Sequence, residues 1–333
     1  MKTVVLGSGG WGTALSQILC DNGHETYLWS HSPAKAAEMA RTRENPLLQG
    51  VHLPESLHIT GDLGCLRGAD LVVSAPPSFA VRETAKKMAP YLTEKTVVVS
   101  VSKGIERDTN LRLSQVIQEE TGNICKVAVL SGPSHAEEVG IRLPTGCVAA
   151  CLDVDAARFV QDAFMNDYFR VYTSGDVVGV ELAAALKNVI ALSCGVCDGL
   201  GYQDNTKALL MTRAMAEITR LGEKLGGSRQ TFGGLAGMGD LIVTCTSMHS
   251  RNRRCGILIG QGRPVAQALE EIGAVVEGYY AAANARTLAQ KAGVEMPISQ
   301  AAYEVLYEGR DPKLVVTDLM GRAKRSELEE SWS

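Results

Sequence analysis

The sequence predicts an α/β fold: an N-terminal doubly wound sheet over residues 1–177, then an all-helical C-terminal domain over residues 178–333. Three observations carry this. Apolar, β-branched runs alternate with helix-period segments through the first half, as in βαβ units with helices on both faces of a parallel sheet. A glycine-rich turn separates the first run from the first helix. Beyond Asp176 the strand signals fade and helical periods take over.

The strand candidates, in order, are "KTVVLG", "ETYLWS", "ADLVVSA", "TVVVSVS", "KVAVLSG", "GCVAACL" and "RVYTS". Between them, helices are predicted over Thr13–Asn22, Pro33–Arg41, Phe79–Ala89 and Leu111–Thr121. The second half yields Val178–Val196, Thr206–Leu225, Val265–Ile272, Tyr280–Ala292 and Ile298–Tyr307. A boundary near Gly175–Gly179 places the start of the second domain's first helix at a junction, where ligand clefts commonly form. The charged tail "GRAKRSELEESWS" is expected to fray at its end.

The turn "VVLGSGGWGTAL" reads Gly7-x-Gly9-x-x-Gly12, directly after a strand and opening a helix. In that context the pattern is a dinucleotide-binding signature of the Rossmann type. Gly7 permits the tight turn, Gly9 lets a pyrophosphate approach the backbone, and Gly12 lets helix and strand pack closely. Phosphate charge then faces the helix N-terminus. The second strand should end in an acid if an adenosine ribose hydroxyl is read in the usual way. Its end is instead "LWSHSP", with Ser30, His31 and, just beyond, Lys35. No acid is there to repel a 2′-phosphate, so NADP(H), or both NADP(H) and NAD(H), is the expected cofactor.

A net charge of −4 argues against a general nucleic-acid binder. Nine scattered cysteines, an odd number, read as reduced thiols of a cytoplasmic protein. Cys194 and Cys197 form a CxxC, but no second pair or histidine cluster follows at zinc spacing, so no metal is expected. The chain enters its first strand at Lys2, so no signal peptide is expected, and no uninterrupted apolar run reads as a membrane span.

One residue conflicts with its surroundings. "ELAAALKNVIALSCGV", Glu181 to Val196, has almost no polar face, yet Lys187 and Asn188 sit inside it. Burying an ammonium costs several kcal/mol. Either Lys187 reaches solvent along its own stem, or it is a working lysine whose pKa burial and a nearby cation pull towards neutrality. Other polar residues end apolar segments. Lys103-Gly104 and Ser131-Gly132-Pro133-Ser134-His135-Ala136 follow successive strands, at the edge where an open sheet holds ligands. Asp240 lies within "GGLAGMGDLIVTCTS". "SRNRRCG" supplies Ser250, Arg251 and Asn252, and arginine suits bidentate phosphate recognition. Glu277 stands at a helix start in "VVEGYYAAANA".

Taken together, "GSGGWGTAL", "SKGIE", "SGPSHAEEV", "ALKNVIAL", "GLAGMGDLIVTC", "SRNRRCG" and "VVEGYY" resemble, end to end and in order, the bacterial-type NAD(P)+-dependent glycerol-3-phosphate dehydrogenases. The resemblance implies reversible interconversion of sn-glycerol 3-phosphate and dihydroxyacetone phosphate, mainly to supply phospholipid synthesis. It implies that Lys187 carries the proton, with Lys103 and Asp240 beside it. Gly132, Ser134, Asn188, Thr244, Ser250, Arg251 and Asn252 join Lys103, Lys187 and Asp240 around the substrate. Gly7, Gly9, Gly10, Trp11, Gly12, His31, Ala136, Val275 and Glu277 lie on the cofactor side, with Lys103 and Arg251 shared. The family loop commonly reads "GAGSWGTAL"; Gly10 replaces its serine, which puts a hydroxyl contact in doubt. A homodimer is left open. The competing readings are a related β-hydroxyacid or ketopantoate-type reductase, and a non-catalytic nicotinamide-binding sensor.

Overall fold

The structure, a computed structural model, describes residues 1–324, 326 and 327. The end of the charged tail, where fraying is expected, lies outside the described residues. Eight strands form one sheet: β1 Lys2–Leu6, β2 Glu25–Trp29, β3 His58–Thr60, β4 Leu71–Ser74, β5 Val97–Ser100, β6 Lys126–Ser131, β7 Thr145–Ala150 and β8 Phe169–Ser174. Their order is β3-β2-β1-β4-β5-β6-β7-β8. Winding therefore reverses between β1 and β4, and a crevice opens beyond the carboxyl ends of those strands.

Helices α1 Gly10–Asp21, α2 Pro33–Thr42, α3 Val81–Met88, α4 Leu113–Glu120, α5 Ala136–Gly140 and α6 Val154–Phe164 connect the strands. One apolar core joins α1 and α6 to one sheet face, through Leu15, Ile18, Val160 and Phe164. Another joins α3 and α4 to the opposite face, through Val81, Met88, Val116 and Ile117. Two features depart from the predicted parallel alternation. Strand β3, too short to leave a pattern, adds an outer strand beside β2. Strand β7 runs antiparallel to β6, because the connection through the five-residue α5 turns straight back instead of crossing a sheet face.

Every later element among the described residues is helical: α7 Val177–Gly199, α8 Asp204–Lys224, α9 Arg229–Gly233, a π-helical turn Leu235–Gly239, α10 Asp240–Thr246, α11 Arg251–Gly260, α12 Val265–Ile272, α13 Glu277–Ala292, α14 Pro297–Tyr307 and α15 Pro312–Met320. The short helices α9 and α10 leave too few periods to read from sequence, and α11 and α15 are absent from the predicted helices. Helix α7 is apolar along most of its length, interrupted by Glu181, Lys187 and Asp198. It is long and apolar enough to cross a bilayer, with a mean hydropathy of 1.7. The physical reason is burial within the molecule: 89% of that apolar window is covered by other parts of the chain.

Small residues set the closest packing. A Cβ on Gly195 would fall 2.0 Å from the Arg253 carbonyl oxygen, and one on Gly256 would fall 2.0 Å from that of Leu192. Gly199 and Gly260 repeat the contact one turn on. Backbone-to-backbone approach thus locks α11 against α7 and brings "SRN" beside "LKN". At the sheet end, Glu181 accepts hydrogen bonds from Ser114 N and Arg112 Nη1, which ties α7 to the start of α4.

Candidate active site

Lys187 does not reach solvent: it is 4% exposed. Its Nζ donates to Asp240 Oδ1 and, at 2.6 Å, to Thr244 Oγ1. Thr244 in turn donates its own proton to the Asp240 backbone carbonyl at 2.6 Å, so its lone pairs remain for the lysine. Lys103, in the loop after β5, reaches the other carboxylate oxygen, Oδ2, at 2.8 Å and the Gly132 carbonyl at 2.9 Å. Ser134 Oγ donates to the same carbonyl at 3.0 Å. Lys187, Lys103, Asp240, Thr244, Gly132 and Ser134, drawn from four separate chain segments, therefore meet at one point.

Electrostatics favour an amine that titrates in a useful range. Burial is the largest influence on Lys187, Asp240 pulls the other way, Lys103 reinforces burial, and the pKa comes down to about 8. Burial and Lys103 together outweigh the carboxylate. Such an amine can give or take a proton at an adjacent oxygen.

The π-helical turn delivers Asp240. Its glycines let the chain coil tightly: a Cβ on Gly237 would fall 2.1 Å from the Phe232 carbonyl oxygen. π-bulges of this kind recur at functional sites. Sequence reading finds the glycines but not the turn. A second polar line extends from α7. Asn252 Nδ2 donates to Asn188 Oδ1 at 3.0 Å, and Asn252 Oδ1 accepts from Gly278 N at 2.8 Å. Ser250 caps α11 by accepting from Arg253 N at 3.2 Å. Arg251 opens α11 with an exposed side chain.

The glycine loop joins β1 to α1. Gly7 has φ +124°, and a Cβ there would meet the Ala75 carbonyl at 2.6 Å. A Cβ on Gly12 would lie 2.1 Å from the Gly7 carbonyl. Nothing comes within 4 Å of the Cβ position at Gly9, which N-caps α1 without a side-chain cap. Open space at a bare helix N-terminus fits a pyrophosphate. At Gly10 the matter is more than a lost hydroxyl: the Leu47 carbonyl would lie 2.6 Å from any Cβ, and Ala136 Cβ 3.5 Å away. Trp11 sets its ring towards Phe169, with centroids 6.4 Å apart, and its buried Nε1 has no partner. Its side chain packs on the sheet core, which leaves its backbone for the loop.

At the adenosine end, Ser30 is buried and accepts from Ser8 Oγ at 2.9 Å, whereas His31 is exposed. Lys35 Nζ and Asn45 Nδ2 both hold the Ser8 carbonyl, at 2.8 and 3.1 Å. On the far side, Val275 is half-buried and Glu277 is bound by Ser78. Ser8, Asn45 and Ser78 are polar residues around this crevice that the sequence reading does not nominate; Asn45 and Ser78 belong to no local pattern, and Ser8 is a variable position inside the glycine turn. Among the described residues, no three His, Cys, Asp or Glu side chains gather as a metal would require.

The family model for the NAD-dependent glycerol-3-phosphate dehydrogenase N-terminus matches residues 2–157, and that for the C-terminus matches residues 176–317. This chain belongs to the NAD-dependent glycerol-3-phosphate dehydrogenase family. Relatives named glycerol-3-phosphate dehydrogenase [NAD(P)+] include one from Lysinibacillus sphaericus, 50% identical over 99% of this chain and 98% of the relative. Another, from Pelotomaculum thermopropionicum, is 52% identical over 99% and 95%. A crystal structure of glycerol-3-phosphate dehydrogenase from Coxiella burnetii superposes with a TM-score of 0.92 at 36% identity, covering 96% of this chain and 99% of that one. The dehydrogenase family thus accounts for both halves of the molecule.

Proposed function

We infer that this enzyme interconverts sn-glycerol 3-phosphate and dihydroxyacetone phosphate with NAD(P)+ and NAD(P)H. The observation that carries the reading is the buried Lys187 amine, gripped by Asp240 and Thr244 and held near a pKa of about 8. The nicotinamide supplies or accepts the hydride when bound. Protonated Lys187 donates to the ketone oxygen during reduction; neutral Lys187 takes the hydroxyl proton during oxidation. Lys103 places positive charge where alkoxide develops and lowers the pKa of its neighbour. Asp240 orients both ammonium groups. Ser250, Arg251 and Asn252, at the start of α11, hold the substrate phosphate, with Gly132, Ser134 and Asn188 around the carbon chain. Gly7, Gly9, Gly10, Gly12 and the Trp11 backbone cradle the pyrophosphate, and Ala136, Val275 and Glu277 border the nicotinamide end.

The finer reading has several parts. The chain divides into a cofactor domain to residue 177 and a substrate domain from residue 178. The reductive direction supplies glycerol 3-phosphate for phospholipid synthesis in the cytoplasm. No metal or nucleic acid takes part. A homodimer is the assembly to seek by light scattering. The absent acid at Ser30-His31 favours NADPH, or use of both forms. A related carboxylate-directed reductase would not need "SGPSHAEE", "GMGDLIVTC" and "SRNRR" together, and a sensor would not need Lys103 and Lys187 as a pair.

The deciding experiment follows reduced-nicotinamide absorbance with dihydroxyacetone phosphate, NADPH and NADH in parallel. Turnover is expected, with the larger kcat/KM for NADPH or comparable values. Tight cofactor binding without turnover would move the reading to another substrate or to the sensor.

A further inference from the structure

Glu277 begins α13, but its carboxylate does not cap that helix. Ser78, just beyond β4, donates its hydroxyl from 2.8 Å of both carboxylate oxygens, and Ser78 N approaches Oε1 at 3.4 Å. The two residues are 199 positions apart and join the strand end at the winding reversal to the helical half. Ser78 is itself buried. The loop that carries Lys103 is built around the pair: a Cβ on Gly104 would fall 2.7 Å from Ser78 Cβ and 3.4 Å from Glu277 Oε2. The contact also continues inward. Gly278 N is held by Asn252, and Asn252 holds Asn188, the residue after Lys187.

We propose that Ser78 is a positioning residue for the cofactor site: it holds the Glu277 carboxylate aimed into the crevice, where it accepts a hydrogen bond from a hydroxyl or amide donor of the nicotinamide half of the dinucleotide. This rests on the cofactor reading above. The chemistry gives the carboxylate one task. A dinucleotide offers ribose hydroxyl and carboxamide N–H donors at that end, and an ionised carboxylate only accepts. Burial pushes the Glu277 carboxyl up, towards the neutral form that accepts less well; the Ser78 hydrogen bonds oppose this most, followed by Arg251 and Arg107. Removing the hydroxyl leaves the Ser78 N–H and the charges of Arg251 and Arg107 to oppose burial.

The test is fluorescence titration of NADPH and NADH into wild type, Ser78→Ala, Ser78→Thr, Glu277→Gln and the Ser78→Ala/Glu277→Gln double variant across pH 5.5–9. Ser78→Ala should weaken binding about 3- to 10-fold, the range of an ordinary intramolecular hydrogen bond. Its pH midpoint for loss of binding on acidification should move upward, by roughly one unit at most. Ser78→Thr, which keeps the hydroxyl, should restore both. In the Glu277→Gln background, Ser78→Ala should add little and no longer shift the midpoint. Should Ser78→Ala fail to fold, Ser78→Cys keeps the volume with a weak donor and should show the same direction. Wild-type affinity and midpoint in Ser78→Ala, or additive effects with Glu277→Gln, would overturn the proposal. A wild type that binds neither dinucleotide would instead sink the cofactor reading itself.

Discussion

Lys187 and Lys103 hold opposite oxygens of one carboxylate, Lys187 on Oδ1 of Asp240 and Lys103 on Oδ2. Two ammonium groups at one buried acid leave a net positive charge where a negative oxygen must form. Burying a pair of like charges is costly. Asp240 keeps the arrangement stable, and it does so without neutralising both lysines.

Replacing Lys187 with methionine keeps the stem and removes the amine. Turnover should fall by ~10² to 10⁴-fold, the usual contribution of a positioned proton carrier. NADPH affinity, measured by fluorescence titration, should stay within about threefold, because the glycine loop is untouched. Near-normal turnover would mean that another group moves the proton.

The rate should depend on pH in opposite senses for the two directions. With Lys187 titrating at about 8, kcat/KM for reduction, which needs the ammonium, should decline as pH rises through that value. Oxidation, which needs the neutral amine, should rise through the same region. Asp240→Asn removes a group that raises this pKa, so both limbs should move to lower pH. Profiles that stay in place in the variant would show that Asp240 does not tune the lysine.

Arg251→Lys should raise KM for dihydroxyacetone phosphate while leaving NADPH affinity closer to wild type. A point charge cannot replace a planar fork on phosphate oxygens. Initial-rate measurements at saturating NADPH give the answer, and an unchanged KM would remove Arg251 from the phosphate site.

Gly256→Ala tests how α11 is held. Its Cβ would fall 2.0 Å from the Leu192 carbonyl, so the two helix backbones must separate. Overpacking of this kind costs about 1–3 kcal/mol. The melting temperature should fall, and KM for the phosphorylated substrate should rise with it, since α11 carries Arg251 and Asn252. A variant with wild-type melting and KM would show that the helices can part without consequence.

The sequence revealed most of what is local. The glycine loop, seven of the eight strands and the long helices announce themselves by period and punctuation within a few residues. Lys187 stood out because its own neighbours are apolar. Short elements such as β3, α9 and α10 fall below the length at which a period can be counted. The reversal of β7 depends on how a short connection turns in space.

Contacts across the chain had no such signal. Asp240 lies 53 residues from Lys187 and 137 from Lys103, and Ser78 lies 199 from Glu277. Residue types and their order were enough to determine the fold class and to nominate the lysines. Whether Lys187 would snorkel to water or titrate in the interior was decided only when the sheet and the helical half closed around it. A pKa is set by desolvation and by charges near in space, and nearness in space between distant segments is a property of the packed molecule.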